Sequence, residues 1–371
     1  MLPLNWQRVR LGDICEIVKG QQINKISLNN TDKYPVINGG IDFLGYTNKF
    51  NVSKNTIAIS EGGTCGYVRF MTSNFWSGGH NYSLQKISNK VNNLCLYHIL
   101  KSYEKDIMKL GVGSRLKNIQ LKALKDFEIP LPPLNEQSAI ANILSDLDRY
   151  LYALDALILK KEGVKKALSF ELLSQRKRLK GFNQAWQRVR LGDICEITTG
   201  SLDANEMVHY GKYRFYTCAK EYYFIDKYAF DTEAILISGN GAYVGYVHYY
   251  KGKFNAYQRT YVLDNFSEHI IFVKYFLKMF LQSHIQTNRN EGNTPYIVMA
   301  TLKDFEILLP SLNEQSAIAN ILSALDNEIT SLKNKKRQFE NIKKALNHDL
   351  MSAKIRVLEK SAFHRNDHFK P

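Results

Sequence analysis

Two glycine-containing turns are flanked by side chains that suit contact with nucleic acid. The turns, Glu61–Gly66 and Gly239–Gly245, each follow a strand-like run ending in Ile-Ser, and glycine there lets a backbone approach a ligand closely. An ordinary tight turn is the alternative. Arginine suits guanine edges, asparagine and glutamine suit adenine edges, and lysine mostly contacts phosphate. The candidate contact residues are Glu61, Arg69, His80, Asn81, Arg115 and Lys117 beside the first turn, and Asn240, Lys251, Lys253, Gln258, Arg259, Thr260, Arg289, Asn293 and Thr294 beside the second.

No motif of a catalytic centre accompanies these residues. The run Gly239–Gly245 superficially resembles a dinucleotide-binding loop, but that loop must open a helix, and Tyr246–Tyr250 is strand-like. The sequence has no GxSxG, HExxH or Walker pattern and no Asn/Asp-Pro-Pro-aromatic run. Its 5 cysteines form no CxxC pair, and the histidines do not cluster. We therefore expect no catalytic residue, metal or cofactor in this chain.

The composition favours a polyanionic partner. Lysine and arginine number 50 against 35 acidic residues, a formal net charge of +15 that is concentrated between Lys160 and Arg190. Such an excess attracts nucleic acids, although a charge run is often only a solvated helix face. The chain lacks a long apolar run and a signal-like N-terminus, and its scattered cysteines suit a reducing compartment. We expect a cytoplasmic protein that has no membrane segment.

The sequence segments that must position these residues occur twice in the chain. Near-identical segments enclose two blocks of similar length that share little sequence. This order predicts one mechanical task performed twice with two specificities. The recurring pairs are Trp6–Ile17 with Trp186–Ile197, Leu124–Ile129 with Leu302–Ile307, and Asn135–Leu144 with Asn313–Leu322.

The second part of each repeat predicts a long helix. Apolar residues alternate at spacings of four and three, a heptad pattern, and Asn135 is a plausible N-cap. A helix from Asn135 to Arg178 would span ~65 Å at ~1.5 Å per residue. Each block between the helices can join its neighbours without bridging that length only if the helices are antiparallel. The predicted seam residues are Ile140, Leu144, Leu147, Leu151 and Leu154 in the first helix, and Ile318, Leu322, Leu325, Ile329 and Leu332 in the second.

The sequence of each variable block predicts several β-strands and one amphipathic helix. The expected fold class is α+β, with two mixed α/β modules joined by two long helices in an antiparallel coiled coil with pseudo-two-fold symmetry. Two amphipathic helices packing on separate cores are the alternative. The predicted ranges are 1–134 and 181–312 for the modules, 135–180 and 313–357 for the spacer helices, and 358–371 for a basic C-terminal tail.

The helix starts resemble those of one protein family. The segments Leu131–Gln137 and Leu309–Gln315 contain a doubled Leu-Asn-Glu-Gln-Ser-Ala-Ile motif. Together with the module openings at Trp6 and Trp186, and with Gly252–Thr260, they are similar to the specificity subunits of Type I restriction-modification systems. The resemblance extends over nearly the whole chain, with Ser311 replacing Pro133 as a small departure.

The resemblance implies a non-catalytic DNA-recognition subunit. Each module would be a target-recognition domain that reads half of a bipartite double-stranded DNA site, and the helices would set the spacing. Two methyltransferase (modification) subunits would supply S-adenosylmethionine chemistry, and restriction subunits would supply ATP- and Mg-dependent translocation. The helices would dock the methyltransferase subunits through outward faces that begin at Glu136, Gln137, Glu314 and Gln315.

Three alternatives remain at this stage. The subunit could serve a Type IIB-like system, in which one partner both methylates and cuts. It could be a self-contained DNA methyltransferase with attached recognition modules, although it lacks a cofactor motif. It could be a scaffold that binds only proteins, against which the basic charge argues. The bases recognised by each half cannot be read from the sequence, because such loops follow no one-residue-one-base code.

Overall fold

The computed structural model describes residue 3, residues 5–288 and residues 294–357. The chain divides into two compact units. Unit 1 comprises Met1–Asp155 and Asn334–Pro371, and unit 2 comprises Ala156–Lys333. The predicted tail, 358–371, and the candidates Arg289 and Asn293 lie outside the described residues, and the predicted domain ranges stay a prediction.

Unit 1 is built on a four-stranded sheet of order β2-β8-β5-β6 and a three-stranded sheet of order β4-β3-β7. Strand β1 pairs with β11, and β9 pairs with β10. The strands are β1 (Gln7–Arg10), β2 (Glu16–Lys19), β3 (Tyr34–Ile37), β4 (Gly45–Thr47), β5 (Thr56–Ser60), β6 (Val68–Met71), β7 (Trp76–Ser77), β8 (Asn81–Gln85), β9 (Gly111–Val112), β10 (Asn118–Ile119) and β11 (Glu128–Leu131); the helices are α1 (Leu11–Ile14), α2 (Asn93–Ser102), α3 (Glu104–Lys109), α4 (Leu121–Lys125) and the first half of α5 (Leu134–Leu173).

Unit 2 contains a six-stranded sheet of order β13-β18-β16-β17-β14-β15, with β14 parallel to β17. Strand β12 pairs with β19 as β1 pairs with β11 in unit 1. The strands are β12 (Gln187–Arg190), β13 (Glu196–Thr199), β14 (Tyr213–Tyr216), β15 (Tyr223–Ile225), β16 (Phe230–Ser238), β17 (Val247–Ala256), β18 (Thr260–Asp264) and β19 (Glu306–Leu309); the helices are α6 (Ile270–Asn288), α7 (Met299–Lys303) and α8 (Leu312–Met351), of which the last half belongs to unit 1.

In each unit the repeated segments close the core around the sheet and one amphipathic helix. In unit 1, Ile57 and Leu84 from the central strands pack with Leu96 and Ile99 of α2, and Leu144 of α5 joins the same cluster. The corresponding cluster of unit 2 joins strands β16 and β18 to α6 and α8. The β-branched strand residues and the helical periodicity therefore bury the faces that the sequence pattern indicates.

Within each unit the long helices run antiparallel. In unit 1, Asp148 of α5 pairs with Lys343 of α8, and Asp155 pairs with Lys336 at 2.7 Å. The residue number of the partner in α8 therefore falls as the residue number in α5 rises. In unit 2, Lys161 pairs with Glu328 at 2.8 Å and Lys165 pairs with Asp326, so these helices also run in opposite directions. The predicted antiparallel coiled coil is therefore confirmed within each unit.

The structure places the predicted seam on the inner helix faces. Six seam residues are buried and four are half-buried. The lysines that interrupt the seam, such as Lys165 and Lys343, pair with carboxylates of the facing helix, which compensates their charge. The buried residues are Ile140, Leu144, Leu154, Ile318, Leu322 and Ile329; the half-buried residues are Leu147, Leu151, Leu325 and Leu332.

The first long helix differs at both ends from its predicted limits, Asn135 and Arg178. It begins at Leu134 because the carbonyl of Pro133 accepts the N–H of Gln137 at 2.9 Å, and a proline before the first turn has no N–H to satisfy. It ends at Leu173, since Gln175 adopts the left-handed conformation with φ 62°, which terminates a helix.

Candidate nucleic-acid interface

The first glycine turn joins β5 to β6 in unit 1. Gly66 donates its N–H to the carbonyl of Ser60 at 2.8 Å, and Ser60 donates to Tyr67 at 3.0 Å. Gly66 has φ 85°, and a Cβ there would lie 2.8 Å from Cα of Met108. Both the conformation and the close packing therefore require glycine at this position.

The second glycine turn joins β16 to β17 in unit 2 with the same hydrogen bonds. Gly245 donates to Ser238 at 2.7 Å, and Ser238 donates to Tyr246 at 3.0 Å. Gly245 has φ 79°, and a Cβ there would lie 2.4 Å from Cδ1 of Ile285. The two turns are therefore equivalent, although the second is one residue longer.

Two further backbone bonds tie the turn of unit 1 to neighbouring loops. The N–H of Glu61 donates to the carbonyl of His80 at 3.0 Å, and the carbonyl of Glu61 accepts from Ile119 at 2.9 Å. The Tyr82 hydroxyl donates to the Ile119 carbonyl at 3.0 Å. These bonds bring three separate loops onto one surface.

Unit 2 repeats this frame with different side chains. Gly239 donates to the carbonyl of Arg259 at 2.8 Å and accepts from Ile297 at 2.9 Å, and the Tyr261 hydroxyl donates to the Ile297 carbonyl at 2.9 Å. The positions of Glu61 and His80 are thus occupied by Gly239 and Arg259. The backbone is shared, whereas the groups that a ligand would meet are not.

In unit 1 the carboxylate of Glu61 lies against the side chains of Lys19 and His80. Its Oε1 accepts a hydrogen bond from Lys19 Nζ at 2.7 Å and another from the Tyr82 hydroxyl at 3.3 Å, and its Oε2 lies 3.8 Å from His80 Nδ1. Burial, together with Glu61, raises the pKa of Tyr82 to about 12. Glu61 is buried, while the Lys19 and His80 side chains are 54% and 55% exposed. Glu61 therefore positions Lys19 and His80, which are the groups open to a ligand.

In unit 2 the corresponding surface presents Arg259. Its side chain is exposed, while Thr260 beside it is buried. Burial raises the pKa of Tyr261 behind them, and the guanidinium of Arg259 opposes that rise. Gly239 supplies no carboxylate, so this surface offers a permanent planar cation where unit 1 offers lysine and histidine.

Other predicted contact residues lie close to these turns. Arg115 and Lys117 are exposed between β9 and β10, on the loop leading to Ile119. Cys65 of the turn lies nearby; burial raises the pKa of its thiol, and Lys117 opposes that rise.

Unit 2 shows the same clustering beside its longer turn. Asn240 forms a bridge with Tyr296, and exposed Thr294 precedes Pro295, whose carbonyl accepts the N–H of Gly241 at 2.9 Å. Gln258 is exposed beside Arg259. The structure therefore brings Asn240, Gln258 and Thr294 to one surface with Arg259.

Two candidates in unit 1 have structural roles instead. The Arg69 guanidinium donates to the carbonyls of Gly40 and Ile41 and lies 5.1 Å from the Phe43 ring, so it supports that loop. Asn81 is buried, and its amide donates to Ser77 Oγ at 3.1 Å. Buried Thr260 is the counterpart of Asn81 in unit 2. The expectation that Arg69, Asn81 and Thr260 present free side chains to a ligand is therefore wrong.

Two predicted lysines of unit 2 do not reach the turn. Lys251 and Lys253 lie along β17, paired with Glu233 at 3.0 Å and Asp231 at 4.0 Å. Glu233 is five residues from Ser238, about 17 Å along the strand at ~3.4 Å per residue. Gly252 between these lysines does not interrupt the strand, because β17 extends from Val247 to Ala256.

The structure adds Lys19 and Tyr243 to the candidates. Lys19 is held by Glu61, and Tyr243 is exposed on the second turn with Lys220 Nζ 4.9 Å from its ring. The sequence did hold a signal for Lys19, because this residue lies two positions after Ile17, where the identical segments end and the two copies begin to differ.

The signature residues of the first helix start are buried within unit 1. Glu136 is 5% exposed, and its carboxylate accepts from Trp6 Nε1 at 3.2 Å and from Arg356 Nε at 2.6 Å. Gln137 is 1% exposed, and its Oε1 accepts the backbone N–H of Asn92 at 2.7 Å. The expectation that these side chains face outward to a partner is wrong, because they fasten the helix to the module.

The second helix start is built in the same way in unit 2. The Glu314 carboxylate accepts from Arg178 Nε at 3.0 Å and from Arg178 Nη2 at 2.6 Å, and the Gln315 Oε1 accepts from the His269 N–H at 3.0 Å. Both glutamate and glutamine are 1% exposed. Their predicted outward orientation is likewise wrong, because they fasten the second helix to the module of unit 2.

Across residues 5–288 and 294–357, no group of histidine, cysteine and acidic side chains is arranged to hold a metal ion. No helix of this described part is long and apolar enough to cross a membrane. The fold defines a class of protein: a duplicated protein in which one backbone frame carries two different sets of side chains beside its glycine turns.

The comparisons identify the family. The family model of the Type I restriction modification DNA specificity domain matches residues 3–161 and again residues 183–341, so the chain belongs to this family of specificity subunits. A putative type I specificity subunit of Mycoplasma genitalium is 28% identical over 347 residues, covering 89% of each chain. The type I restriction enzyme EcoDI specificity subunit of Escherichia coli is 40% identical over 162 residues, covering 43% of this chain and 35% of that protein. A crystal structure of the S subunit of a Type-I restriction-modification system from M. genitalium superposes with a TM-score of 0.75 at 26% identity, covering 94% of this chain and 98% of that one.

Proposed function

We propose that each unit reads one half of a bipartite DNA site through the surface around its glycine turn. The observation that carries the proposal is the shared frame with exchanged contact groups: Lys19, Glu61 and His80 in unit 1 against Gly239 and Arg259 in unit 2. Shared backbone bonds would give both units the same approach to a duplex. Different side chains would give each unit its own bases.

The protein's own contribution is recognition, and the chemistry would come from partner subunits. We expect two methyltransferase subunits, which carry S-adenosylmethionine, and restriction subunits that use ATP and Mg. Support comes from a solved structure of 14% identity and TM-score 0.51, which concerns complex assembly of the type I R-M system. The exposed faces of α5 and α8, outside the buried Glu-Gln pairs, are the proposed docking sites.

Exchange of one variable block tests the assignment of half-sites. Replacing residues 18–123 with the corresponding block of another family member should change the bases methylated on one half of the site and leave the other half unaltered. The block contains the whole contact surface of unit 1, whereas unit 2 stays intact. Methylome sequencing of cells that carry the chimaera and its methyltransferase subunit gives the readout. A change in the methylated bases of both halves would refute the proposal that each unit recognises one half of the site.

Matched shortening of the two helices tests their role as a spacer. Deleting one heptad from α5 and the facing heptad from α8 preserves the seam register, because the pairing is antiparallel. The gap between half-sites should change while the bases stay the same, as methylome sequencing would reveal. A changed base preference with an unchanged gap would contradict the spacer role.

Methylation by the purified chain alone separates this proposal from the self-contained methyltransferase. With S-adenosylmethionine and a duplex containing its site, we expect no methyl transfer until methyltransferase subunits are added. Activity of the chain by itself would favour the enzyme alternative.

A further inference from the structure

A cationic pocket of unit 2 lies where α5 and α8 meet α6. It encloses about 410 Å³ and lies apart from the glycine turn, on the helical side of the unit. Four lysines line it against two carboxylates, together with hydroxyl and apolar groups. The lining that matters here is Lys165, Lys166, Lys278, Lys333, Glu162, Asp326, Ser169 and Tyr275.

Only two of the four lysines are neutralised. Lys333 pairs with Glu162 at 2.6 Å, and Lys165 pairs with Asp326. The second oxygen of Asp326 accepts the Tyr275 hydroxyl at 2.6 Å, so this carboxylate is already occupied. Among the described residues, Lys166 and Lys278 have no ion pair or hydrogen bond.

The lysines also crowd one another. Burial, with Lys165 as a second cause, lowers the pKa of Lys278. Burial and Lys278 lower the pKa of neighbouring Lys274 to about 8. Ser169 is 6% exposed and lines the pocket, and its hydroxyl has no hydrogen-bond partner among the described residues. An anion would relieve the repulsion and could accept a hydrogen bond from that hydroxyl.

The repeat supplies an internal comparison. Asn92 and His269 donate to equivalent glutamines, which aligns α2 with α6, and the pairs Asp148–Lys343 and Lys165–Asp326 align the long helices. In unit 1 the positions of Lys165, Lys166, Lys278 and Lys333 are Lys343, Lys344, Lys101 and Asp155, and the position of Lys274 is Tyr97.

Among the described residues, the equivalent set of unit 1 leaves one lysine unpaired, Lys344, because Lys343 pairs with Asp148 and Lys336 pairs with Asp155 at 2.7 Å and with Glu340 at 3.5 Å. This set has three lysines against Asp148, Asp155 and Glu340. Lys101 is held by Glu104 and by the carbonyl of Val68 at 3.0 Å, so it is not free for a ligand. Within the described part of the chain, unit 2 thus has two unpaired lysines, Lys166 and Lys278, where unit 1 has one.

We propose that this pocket binds a phosphate-bearing anion. Lysine ammonium groups and a buried hydroxyl are suitable donors for phosphate oxygens, and the open volume admits one or two phosphate groups. The phosphate could belong to a soluble polyphosphate or to a DNA backbone. This pocket does not include the residues proposed to read the half-sites. The anion proposal can therefore be refuted without refuting the proposed function.

Calorimetric titration of the full chain with sodium tripolyphosphate tests the site. We expect saturable binding with one anion per chain, weakened at least fivefold by Lys166→Gln and by Lys278→Gln. The matched control is Lys344→Gln, which removes the same charge at the equivalent position of unit 1 and should change the affinity less than twofold. Absence of saturable binding, or equal weakening by Lys166→Gln and Lys344→Gln, would overturn the proposal.

Random-sequence duplex distinguishes the two sources of phosphate. If the DNA backbone occupies the pocket, Lys278→Gln should weaken duplex binding, and tripolyphosphate should compete with the duplex. If a soluble phosphate occupies it, duplex binding should be unchanged by the substitution and by competitor beyond the effect of ionic strength.

Discussion

Replacing Arg178 with methionine should lower the free energy of unfolding of unit 2 by about 3–5 kcal/mol. Glu314 is 1% exposed, and Arg178 donates to both of its carboxylate oxygens, at 3.0 and 2.6 Å. Without Arg178 this carboxylate would remain buried and uncompensated, which costs far more than an exposed ion pair contributes. Arg178 also lies over the Trp186 ring at 6.0 Å, a contact that methionine partly preserves.

The control for this substitution is Arg176→Met. Arg176 is exposed over the Phe170 ring and has no ion pair among the described residues, so its loss should cost well under 1 kcal/mol. Denaturant-dependent hydrogen exchange, followed on peptides of each unit, locates and measures the effect. The double variant Arg178→Met/Glu314→Gln should recover part of the loss, because no buried charge is then left. Equal costs for the two arginines would contradict this role of the ion pair.

The repeated architecture could be predicted because it depends on regular spacing. The segment Asn135–Leu144 and its copy at Asn313–Leu322 reveal the duplication, and a heptad seam requires a partner helix. The direction of pairing followed from chain connectivity alone. These features are set by periodicity and length, which a single sequence displays directly.

The roles of the Glu-Gln pairs could not be predicted in the same way. A motif that resembles a family pattern indicates that Glu136 and Glu314 matter, but not whether they point inward or outward. The partners Arg356 and Arg178 lie near the far ends of the opposite helices, where only the antiparallel arrangement brings them into reach. Glu136 is separated from Glu314 by the same number of residues as Arg178 is from Arg356. An antiparallel arrangement of the helices could therefore have suggested both ion pairs.

The structure brings several of the predicted contact residues together beside each glycine turn, whereas others are buried or lie elsewhere. Asn81 and Thr260 each begin a buried central strand, where a side chain points either to the core or to the ligand, and the sequence carries no alternation there to decide. Lys251 and Lys253 were predicted to lie beside the second turn. They lie instead inside β17, on either side of Gly252, where both pair with neighbouring carboxylates.

Replacing Arg259 with alanine should weaken recognition of one half-site by about 1–3 kcal/mol, or roughly 5- to 150-fold in affinity. The backbone of Arg259 is fixed, because its carbonyl accepts from Gly239 at 2.8 Å and from Cys218 Sγ at 3.2 Å. Its guanidinium has no ion pair or hydrogen bond among the described residues and is exposed beside the turn. A fixed backbone that carries an unpaired guanidinium fits the bidentate recognition of guanine.

Two further variants separate base reading from phosphate contact. Arg259→Lys keeps the charge but loses the fork, so it should keep most affinity for random duplex while losing discrimination at one position of the half-site. His80→Ala, at the equivalent position of unit 1, should affect the other half-site only. Selection from a randomised duplex library, with thermal unfolding as the check on folding, measures these effects. A uniform loss over all sequences for Arg259→Ala, with Arg259→Lys indistinguishable from the unaltered chain, would show that Arg259 contacts only phosphate, and the base-reading group of unit 2 would then have to be sought among Asn240, Gln258 and Thr294.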